Sequence, residues 1–365
     1  MKYYSYLIKP ASSLCNLRCR YCFYHDVSDH RMMKSFGVMS ETTMNALIQK
    51  ALDVISPSTI TFAFQGGEPT VAGLNYFRSF VQCVNKHRKD DQVILYAIQT
   101  NGYTLDMEWV TFLKEHKFLV GISIDGYQEN HNYFRINSGN QATFERVYQS
   151  YRLLKSNEVD VNILTVLSKQ LARKPKELYE FYQLIDAKYI QLIPCLPPLG
   201  VVEDEFSLTP ELFASFYKEF YSYWEKDYRQ GKYMSVTLFD NIIPMFKGIA
   251  PSQCGMLGFC SPQYVVESDG SVYPCDFYVL DEYKCGNIVA NSLEEIRKSS
   301  LMSQFLHESK RVSPLCSACK FKSICHGNCK RMNIVYFNND TYCGYQDFLE
   351  FAHESMMEIA NKVIR

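Results

Sequence analysis

The chain has 365 residues, a length that suggests two to three domains or one large barrel with an appendage. Hydrophobic residues make up 47% and charged residues 21% of the sequence, which excludes a disordered chain. The 38 Lys+Arg against 39 Asp+Glu give a net charge of -1, which excludes a global basic field that would attract nucleic acid or acidic lipid. No apolar run approaches the roughly 18 residues of a membrane span, and the N-terminus lacks the apolar region of a secretory signal. We therefore expect a cytoplasmic protein.

Short apolar runs alternate with amphipathic stretches between residues 59 and 240. This alternation predicts βαβ units around a parallel sheet that is buried on both faces. About six to seven units are too few for a closed eight-fold barrel, so a partial barrel is favoured over a doubly wound sheet. The predicted strands are Thr59–Gln65, Val93–Gln99, Leu119–Asp125, Val159–Leu167, Tyr189–Ile193 and Ser235–Phe239, and the predicted helices are Glu41–Val54, Tyr76–Lys89, Met107–His116, Thr143–Ser156, Pro175–Ile185 and Pro210–Tyr228.

The sequence changes character after about residue 245. A hairpin is predicted over Tyr264–Tyr273, with Asp269-Gly270 as a type I′ turn. A Cys-rich, loop-rich stretch follows to Cys343, and an amphipathic helix is predicted over Tyr345–Val363. A region with so little core of its own is typical of one that metal ligation holds together.

The 14 cysteines of the chain are unevenly placed. A cytosolic location keeps thiols reduced, so metal ligation is a better explanation for them than disulfides. Cys83, Cys195 and Cys285 lie apart from the others and are interpreted as ordinary small apolar residues. The remaining eleven form one N-terminal and two tail groups.

The N-terminal group is Cys15-x3-Cys19-x2-Cys22. Three thiolates in one loop can hold a [4Fe–4S] cluster whose fourth iron has no protein ligand, and such an open iron is where catalysis takes place. A zinc site completed by His25 is the alternative. The other histidines, His131 among them, show no ligand spacing and are interpreted as structural or exposed.

The tail holds eight cysteines, enough for two fully ligated four-Cys clusters, which suit electron transfer or structure. Taken alone, the stretch from 316 to 329 could instead be a zinc knuckle. The eight are Cys254, Cys260, Cys275, Cys316, Cys319, Cys325, Cys329 and Cys343.

The N-terminal group, with aromatic Tyr21 before its third Cys, resembles the radical S-adenosylmethionine (SAM) superfamily. The tail resembles the SPASM extension of that superfamily, since nine residues separate Cys260 from Gly270 and four separate Gly270 from Cys275. Nearly the whole chain resembles the anaerobic sulfatase-maturating enzymes. The stretches that carry this likeness are Ile8–Ser13, Phe64–Thr70, Gln99–Gly102, Val120–Gly126 and Pro274–Tyr278.

This resemblance implies an α/β fold: a partial (β/α)6 TIM-like barrel over residues 1–240 and a SPASM domain over 241–365. It implies three [4Fe–4S] clusters, one that binds SAM and two auxiliary. In the family, SAM gives a 5′-deoxyadenosyl radical that takes hydrogen from Cβ of a Cys or Ser on a sulfatase peptide, which is oxidised to Cα-formylglycine. A barrel lumen shields such a radical from water.

The resemblance also assigns residues to SAM, each with a simpler alternative. Gly66, Gly67 and Glu68 would meet its amine, although Gly-Gly-Glu-Pro could be a tight turn alone. Ser123 and Arg135 would contact its carboxylate or ribose, although Arg135 could be a solvated surface charge. Leu196 would pack on adenine and Tyr21 would lie near the cluster, although both could be core residues.

The resemblance makes Asp276, next to Cys275, the general base that deprotonates the target side chain or radical. A base beside the reacting atom is what oxidation of a thiol or alcohol requires. The alternative is an Asp in a turn, or a solvated one. Tyr24, Gln65 and Gln99 would line the lumen near the substrate peptide.

The predicted function is therefore oxidation of a Cys or Ser in a Cys/Ser-x-Pro/Ala-x-Arg segment of a sulfatase under anaerobic conditions. The expected partners are that sulfatase and an electron donor such as flavodoxin or ferredoxin, with no nucleic acid or membrane, and the enzyme is expected to be a monomer. A SPASM enzyme that modifies a ribosomal peptide, for example by thioether cross-linking, is the alternative. Only 14 residues precede Cys15, too few for the leader-binding domain of many such enzymes, and this favours sulfatase maturation. An electron-transfer or structural iron–sulfur protein is a third possibility, but it would not need an open cluster.

Overall fold

The computed structural model describes residues 2–337 and 339–364. Its strands alternate with helices along the chain, as the sequence predicts. Most strands have the apolar or β-branched residues typical of a buried sheet. The strands are β1 Lys2–Ile8, β2 Ser58–Phe64, β3 Gln92–Thr100, β4 Phe118–Ser123, β5 Val161–Leu167, β6 Tyr189–Pro194, β7 Ser235–Val236, β8 Tyr264–Val266, β9 Ser271–Tyr273 and β10 Gly286–Asn287.

The predicted helices begin and end close to their predicted positions, and the described residues also form further, mostly short helices that the sequence does not predict. Ser40 and Thr209 cap two of them by accepting backbone N–H bonds, and Pro210 occupies the first turn of the second. The helices are α1 Phe23–Asp29, α2 Glu41–Leu52, α3 Leu74–His87, α4 Met107–Glu115, α5 Gln128–Phe134, α6 Phe144–Ser156, α7 Pro175–Leu184, α8 Pro210–Arg229, α9 Thr237–Met245, α10 Leu293–Arg297, α11 Ser300–His307, α12 Lys322–Cys325 and α13 Gly344–Val363.

The chain divides into two compact units, of which the first comprises Met1–Ser123, Arg135–Val161 and Pro262–Glu308. Within it β1, β2, β3 and β4 are parallel neighbours in that order. On the other side of β1 lies β8, also parallel, followed by antiparallel β9 and β10. Stacked aromatic rings fill the core beneath these strands, with Tyr96 and Phe118 only 4.9 Å apart between ring centres.

The second unit comprises Ile124–Phe134, Asn162–Ser261 and Ser309–Arg365. Within it β5, β6 and β7 are parallel. Helix α8 packs against α7 on one side and α13 on the other. The rings of Phe213, Tyr217 and Phe348 meet in the interface between α8 and α13.

Three local predictions are wrong. The first strand, β1, is missed because its tyrosines and lysine do not form an apolar run, although its burial alternates. The predicted strand Ser235–Phe239 ends at Val236, and helix α9 begins directly after it. The turn at Asp269-Gly270 is not type I′, because only Gly270 has a left-handed φ, +86°. A hydrogen bond of 2.9 Å from Gly270 N–H to Glu267 O instead closes a type I turn that ends in a left-handed glycine.

Segments 262–308 and 309–365 fall in different units, whereas the sequence-based boundary at 240/241 puts both in one domain. That boundary stays a prediction. Within residues 2–337 and 339–364, no helix is both long and apolar enough to cross a membrane.

Candidate active site

The three N-terminal cysteines lie in the loop between β1 and α1, which the end of β2 holds in place. Gly67 N–H donates to Ser12 O at 3.0 Å and Glu68 N–H donates to Leu14 O at 2.8 Å. A side chain at position 67 would place its Cβ 2.2 Å from the oxygen of Leu14. Only glycine fits at position 67, because the cysteine loop passes directly over it.

Polar groups from two other segments surround these sulfur atoms. The Leu17 backbone N–H lies 3.4 Å and Asn101 Nδ2 3.7 Å from Cys15 Sγ, and Arg135 Nη1 lies 4.0 Å from Cys19 Sγ. Burial, with Glu68 nearby, raises the pKa of the Cys15 thiol to about 12. Binding of iron at this loop must therefore displace a proton from Cys15.

The position of His25 does not support the zinc alternative. In the described part of the chain no group of three or more His, Cys, Asp or Glu side chains is close enough to hold one metal ion. His25 is 76% exposed and pairs with Asp29 at 3.1 Å. In a [4Fe–4S] cubane each Cys binds a different iron, so the cluster that the resemblance implies would not need the three thiolates to meet at one ion.

Glu68 is fully buried and joins the ends of β2 and β3. Its carboxylate accepts bonds from Thr70 N–H at 3.0 Å, Thr70 Oγ1 at 2.8 Å, Thr100 Oγ1 at 2.7 Å and Asn101 N–H at 2.7 Å. Burial raises its pKa, and these hydrogen bonds oppose the shift. Glu68 thus holds Asn101 in reach of Cys15, while its predicted contact with SAM stays a prediction.

Two further residues assigned to SAM lie in the same unit. Gln99 Nε2, near the end of β3, donates to Ser123 Oγ at the end of β4 at 3.1 Å. Arg135 is only 6% exposed, and its guanidinium carbon lies 5.6 Å from the centre of the Tyr21 ring. The alternative of a solvated surface Arg135 is therefore wrong. Leu196 is half-buried in the second unit, where its predicted role stays a prediction.

Asp276, Tyr24 and Gln65 form one hydrogen-bonded group. Tyr24 donates to Asp276 Oδ2 at 2.6 Å, and Gln65 Nε2 lies 2.5 Å from the Tyr24 oxygen and 3.3 Å from Asp276 Oδ2. Asp276 is 9% exposed, so a solvated residue is excluded, although it does begin a short 3₁₀ turn. Its second oxygen, Oδ1, is buried and has no hydrogen-bond partner in the part of the chain that the structure describes. Among the described residues, Gln99 hydrogen bonds to Ser123 and not to this group.

A buried ion network beside this group was not found from the sequence. Lys9 Nζ lies 3.6 Å from Glu267 and 5.2 Å from the centre of the Tyr24 ring, while Arg31 reaches Glu267 at 2.7 Å. Burial raises the pKa of Asp276, and the Lys9 charge opposes that rise. No local sequence pattern indicates this network, because Lys9 stands alone between Ile8 and Pro10 with no charged partner beside it in the chain.

The tail cysteines of the second unit separate into two groups by their electrostatic interactions. Cys254, Cys260 and Cys329 interact with one another and form the first tail group. Cys325 interacts with Cys316, Cys319 and Cys343, and these four form the second tail group. Cys275 follows β9 in the first unit.

The chain was compared with known proteins. Residues 10–182 match the Radical SAM superfamily model and residues 259–320 match a SPASM iron–sulfur cluster-binding domain. The chain is 39% identical over 343 residues to the cysteine-type anaerobic sulfatase-maturating enzyme of Clostridium novyi (strain NT), covering 93% of this chain and 91% of that protein. This chain belongs to the anaerobic sulfatase-maturating enzymes.

Other family members agree with this assignment. The serine-type enzyme of Bacteroides thetaiotaomicron is 30% identical over 89% of this chain and 82% of its own length. The solved structure of native anSMEcpe with bound AdoMet is 38% identical and superposes with a TM-score of 0.92, covering 99% of this chain and all of that one. The predicted fold, a radical SAM partial barrel with a C-terminal SPASM domain, is confirmed by this likeness. The chain is thus a radical SAM enzyme for which the family implies SAM and [4Fe–4S] clusters.

Proposed function

We propose that this family member oxidises a cysteine of a sulfatase segment of the form Cys-x-Pro/Ala-x-Arg to Cα-formylglycine without molecular oxygen. The observation that carries the proposal is the buried, unpartnered Oδ1 of Asp276, whose other oxygen is held by Tyr24. A carboxylate held in this way presents one free acceptor to a proton of the substrate.

The preference for cysteine over serine comes from the relatives. Three cysteine-type enzymes of Clostridium are 38–39% identical to this chain, whereas serine-type enzymes are 25–30% identical. The structures of anSMEcpe solved with Kp18Cys and Cp18Cys peptides are both 37% identical and have a TM-score of 0.92. A thiol also gives up its proton to Asp276 more readily than a hydroxyl does.

When bound, SAM and the N-terminal cluster supply a 5′-deoxyadenosyl radical that removes a hydrogen atom from the substrate Cβ. Cys15, Cys19 and Cys22 would hold that cluster, with Tyr21, Gly66, Gly67, Glu68, Ser123, Arg135 and Leu196 around SAM. Asp276 Oδ1 accepts the substrate proton, an auxiliary cluster would take up the second electron, and Tyr24 and Gln65 keep Oδ2 fixed during this transfer. The thioaldehyde that results is hydrolysed to the aldehyde with release of sulfide.

Two auxiliary [4Fe–4S] clusters complete the proposal. The second tail group supplies four thiolates to one cluster. The first tail group would supply three thiolates to the other, and Cys275 stays a predicted cluster ligand by its resemblance to the SPASM pattern. A small donor such as flavodoxin or ferredoxin would supply electrons to a monomeric enzyme. No two cysteines of the described residues form a disulfide, which supports the proposal of a reducing, cytoplasmic location.

The test is anaerobic incubation of reconstituted protein with SAM, a reductant and matched Cys-x-Pro-x-Arg or Ser-x-Pro-x-Arg peptides, followed by mass spectrometry. An aldehyde trapped by hydrazide on the Cys peptide, with less or none on the Ser peptide, is the expected result. A thioether cross-link without aldehyde would instead support the ribosomal-peptide alternative, and equal yields from both peptides would overturn the cysteine preference.

A further inference from the structure

The side chain of Lys310 contacts three backbone carbonyl groups in the second unit. Its Nζ lies 2.5 Å from Gly258 O, 2.6 Å from His326 O and 3.0 Å from Asn328 O. A lysine ammonium has three N–H donors and no acceptor, so these three oxygens use its whole hydrogen-bonding capacity. Lys310 is half-buried, and an arrangement of this kind fixes the position of each carbonyl.

The three carbonyls belong to segments that carry cysteines of both tail groups. Gly258 lies two residues before Cys260 of the first tail group. His326 directly follows Cys325 of the second tail group, and Asn328 directly precedes Cys329 of the first. Lys310 therefore connects the loop that carries Cys260 to the turn between Cys325 and Cys329. Each tail group takes one ligand from the ends of that turn.

That turn has an unusual backbone. His326, Gly327 and Asn328 have consecutive left-handed φ values of +47°, +78° and +51°. L-residues other than glycine disfavour this region, and runs of such residues are rare. Two of the three carbonyls that Lys310 binds belong to His326 and Asn328, the non-glycine residues of this run. Its hydrogen bonds therefore stabilise the left-handed conformation at the two positions where that conformation is unfavourable.

The left-handed run decides where two neighbouring ligands go. Helix α12 ends at Cys325, and a continued helix would put Cys325 and Cys329, four residues apart, on the same face. The run instead turns the chain, and Cys329 lies beside the segment of Cys254, since a Cβ at Gly255 would be 3.8 Å from Cys329 Cβ. Cys325 interacts with the other cysteines of the second tail group. The close passage of Gly258, whose Cβ would lie 2.1 Å from His326 Cβ, fits the same junction.

We propose that Lys310 is a positioning residue that sorts Cys325 and Cys329 into two different auxiliary clusters and places its positive charge beside both. This inference rests on the proposed assignment of the tail cysteines to two clusters. The charge also affects electron transfer, because a cation near a cluster stabilises its reduced, more negative state and raises its reduction potential. Nothing in this role requires Lys310 to touch SAM or the substrate.

The test compares Lys310→Met, which removes charge and donors, with Lys310→Arg, which keeps both. The matched control is Lys322→Met, an exposed lysine in the same Cys-rich segment. Each chain is reconstituted anaerobically, and its iron content, electron paramagnetic resonance spectrum and auxiliary-cluster potentials are measured. SAM cleavage with a chemical reductant reports separately on the N-terminal cluster.

The iron content of Lys310→Met should be about eight per chain, compared with about twelve in the wild type, because each cubane carries four irons. Any remaining auxiliary cluster should have a lower potential, SAM cleavage should persist, and Lys310→Arg should restore most of the iron. If Lys310→Met is insoluble, Lys310→Gln, which keeps a neutral donor, is measured in its place with the same expectation.

Wild-type iron content and auxiliary spectra in Lys310→Met would overturn the role of Lys310, as would an equal loss of iron in Lys322→Met. A wild-type chain with only about four irons would overturn the assignment of the tail cysteines and this inference with it. The wild-type measurement thus separates failure of the cluster assignment from failure of the Lys310 role.

Discussion

The phenol of Tyr24 donates a 2.6 Å hydrogen bond to Oδ2 of Asp276, across 252 positions of the chain. Asp276 is buried and Tyr24 is half-buried. Desolvation of the phenol and the Asp276 carboxylate together raise the pKa of Tyr24. Tyr24 is thereby kept as a neutral donor that orients the carboxylate. Oδ2 of Asp276 is thus held by a hydrogen bond, and Oδ1 is available to accept a proton.

Replacing Asp276 by Asn should separate radical formation from substrate oxidation. The amide is nearly the same size and Cys275 is unchanged, so all three clusters and SAM cleavage should be retained. Formylglycine yield should fall by roughly 10²–10⁴-fold, the usual scale for loss of a general base. Mass spectrometry of the peptide and chromatography of 5′-deoxyadenosine measure the two steps. Near wild-type formylglycine formation would show that the base lies elsewhere, and loss of a cluster would make Asp276 a support for Cys275.

Tyr24→Phe tests the positioning of the same carboxylate. The ring and its contact with Phe23 remain, and only the hydroxyl that donates to Asp276 is removed. Formylglycine yield should fall less than in Asp276→Asn, and the double variant should be no worse than Asp276→Asn, because both changes affect one group. Fully additive losses in the double variant would contradict this coupling.

Iron content tests the assignment of eleven cysteines to clusters. Anaerobically reconstituted protein should hold about twelve irons, four in each cubane. Changing Cys15, Cys19 and Cys22 together to Ala should leave about eight and abolish SAM cleavage. Tightly bound zinc with little iron in freshly purified anaerobic protein would show that the cluster assignment is wrong.

Cys83, Cys195 and Cys285 provide the controls for that experiment. Cys195 and Cys285 are buried, and Cys83 Sγ lies 3.0 Å from Asn45 Oδ1 on the neighbouring helix α2. Serine or alanine at any of these positions should leave the iron content unchanged and cost packing stability of at most about a few kcal/mol. Loss of a whole cluster from one of them would mean that the ligand set includes it.

Gly67→Ala tests whether the end of β2 holds the cysteine loop. The new Cβ would lie 2.2 Å from Leu14 O, so the loop that carries Cys15 must move. The variant should lose about four irons and its SAM cleavage while it keeps the auxiliary clusters. Gly139→Ala is the matched control, since its Cβ would meet its nearest neighbour at an ordinary 3.4 Å. An active Gly67→Ala enzyme would contradict this role of Gly67.

The sequence predicts those parts of the fold and site that rest on local patterns. Apolar periodicity predicts strands β2 to β6 and helices α2, α3, α4, α6, α7, α8 and α13, but not the short helices α1 and α5. Cysteine spacing predicts the candidate ligands. The pattern misses β1, because alternating tyrosines lack an apolar run, and it places Ser235–Phe239 in a strand although α9 begins at Thr237. The group of Tyr24, Gln65 and Asp276 could be named only by family likeness, since side chains from three distant segments meet there.

Charge pairing inside the core is the feature that local sequence patterns predict least. Lys9, Arg31 and Glu267 are each almost fully buried, although such residues are usually exposed. Their meeting depends on β1 lying beside β8, with Lys9 N–H donating to Val266 O at 2.9 Å. No local pattern around any of the three indicates that pairing.

Glu267 makes folding stability depend on pH in a predictable direction. Burial alone would raise the pKa of this carboxyl, but Lys9 and Arg31 outweigh burial and hold the pKa below its usual range. A carboxyl whose pKa is lowered on folding contributes stability above its unfolded pKa of about 4.3, and that contribution is lost as the pH falls through the folded value. Glu267→Gln should therefore cost roughly 3–5 kcal/mol near pH 7, because two buried cations lose their partner.

The measurement is the difference in the free energy of unfolding between wild type and Glu267→Gln, taken from urea unfolding at a series of pH values. Because both chains carry the same clusters, effects of acid on those clusters cancel in the difference. The difference should be constant from about pH 8 to pH 5 and should shrink only below about pH 4.3, where the carboxylate of the wild type takes up its proton. Glu294→Gln, at an exposed i,i+4 pair with Lys298, should show a much smaller difference, because water screens this pair although it also lowers the pKa of Glu294. A Glu267→Gln difference that is small at pH 7, or that is unchanged down to pH 3, would show that Lys9 and Arg31 do not depend on an ionised Glu267.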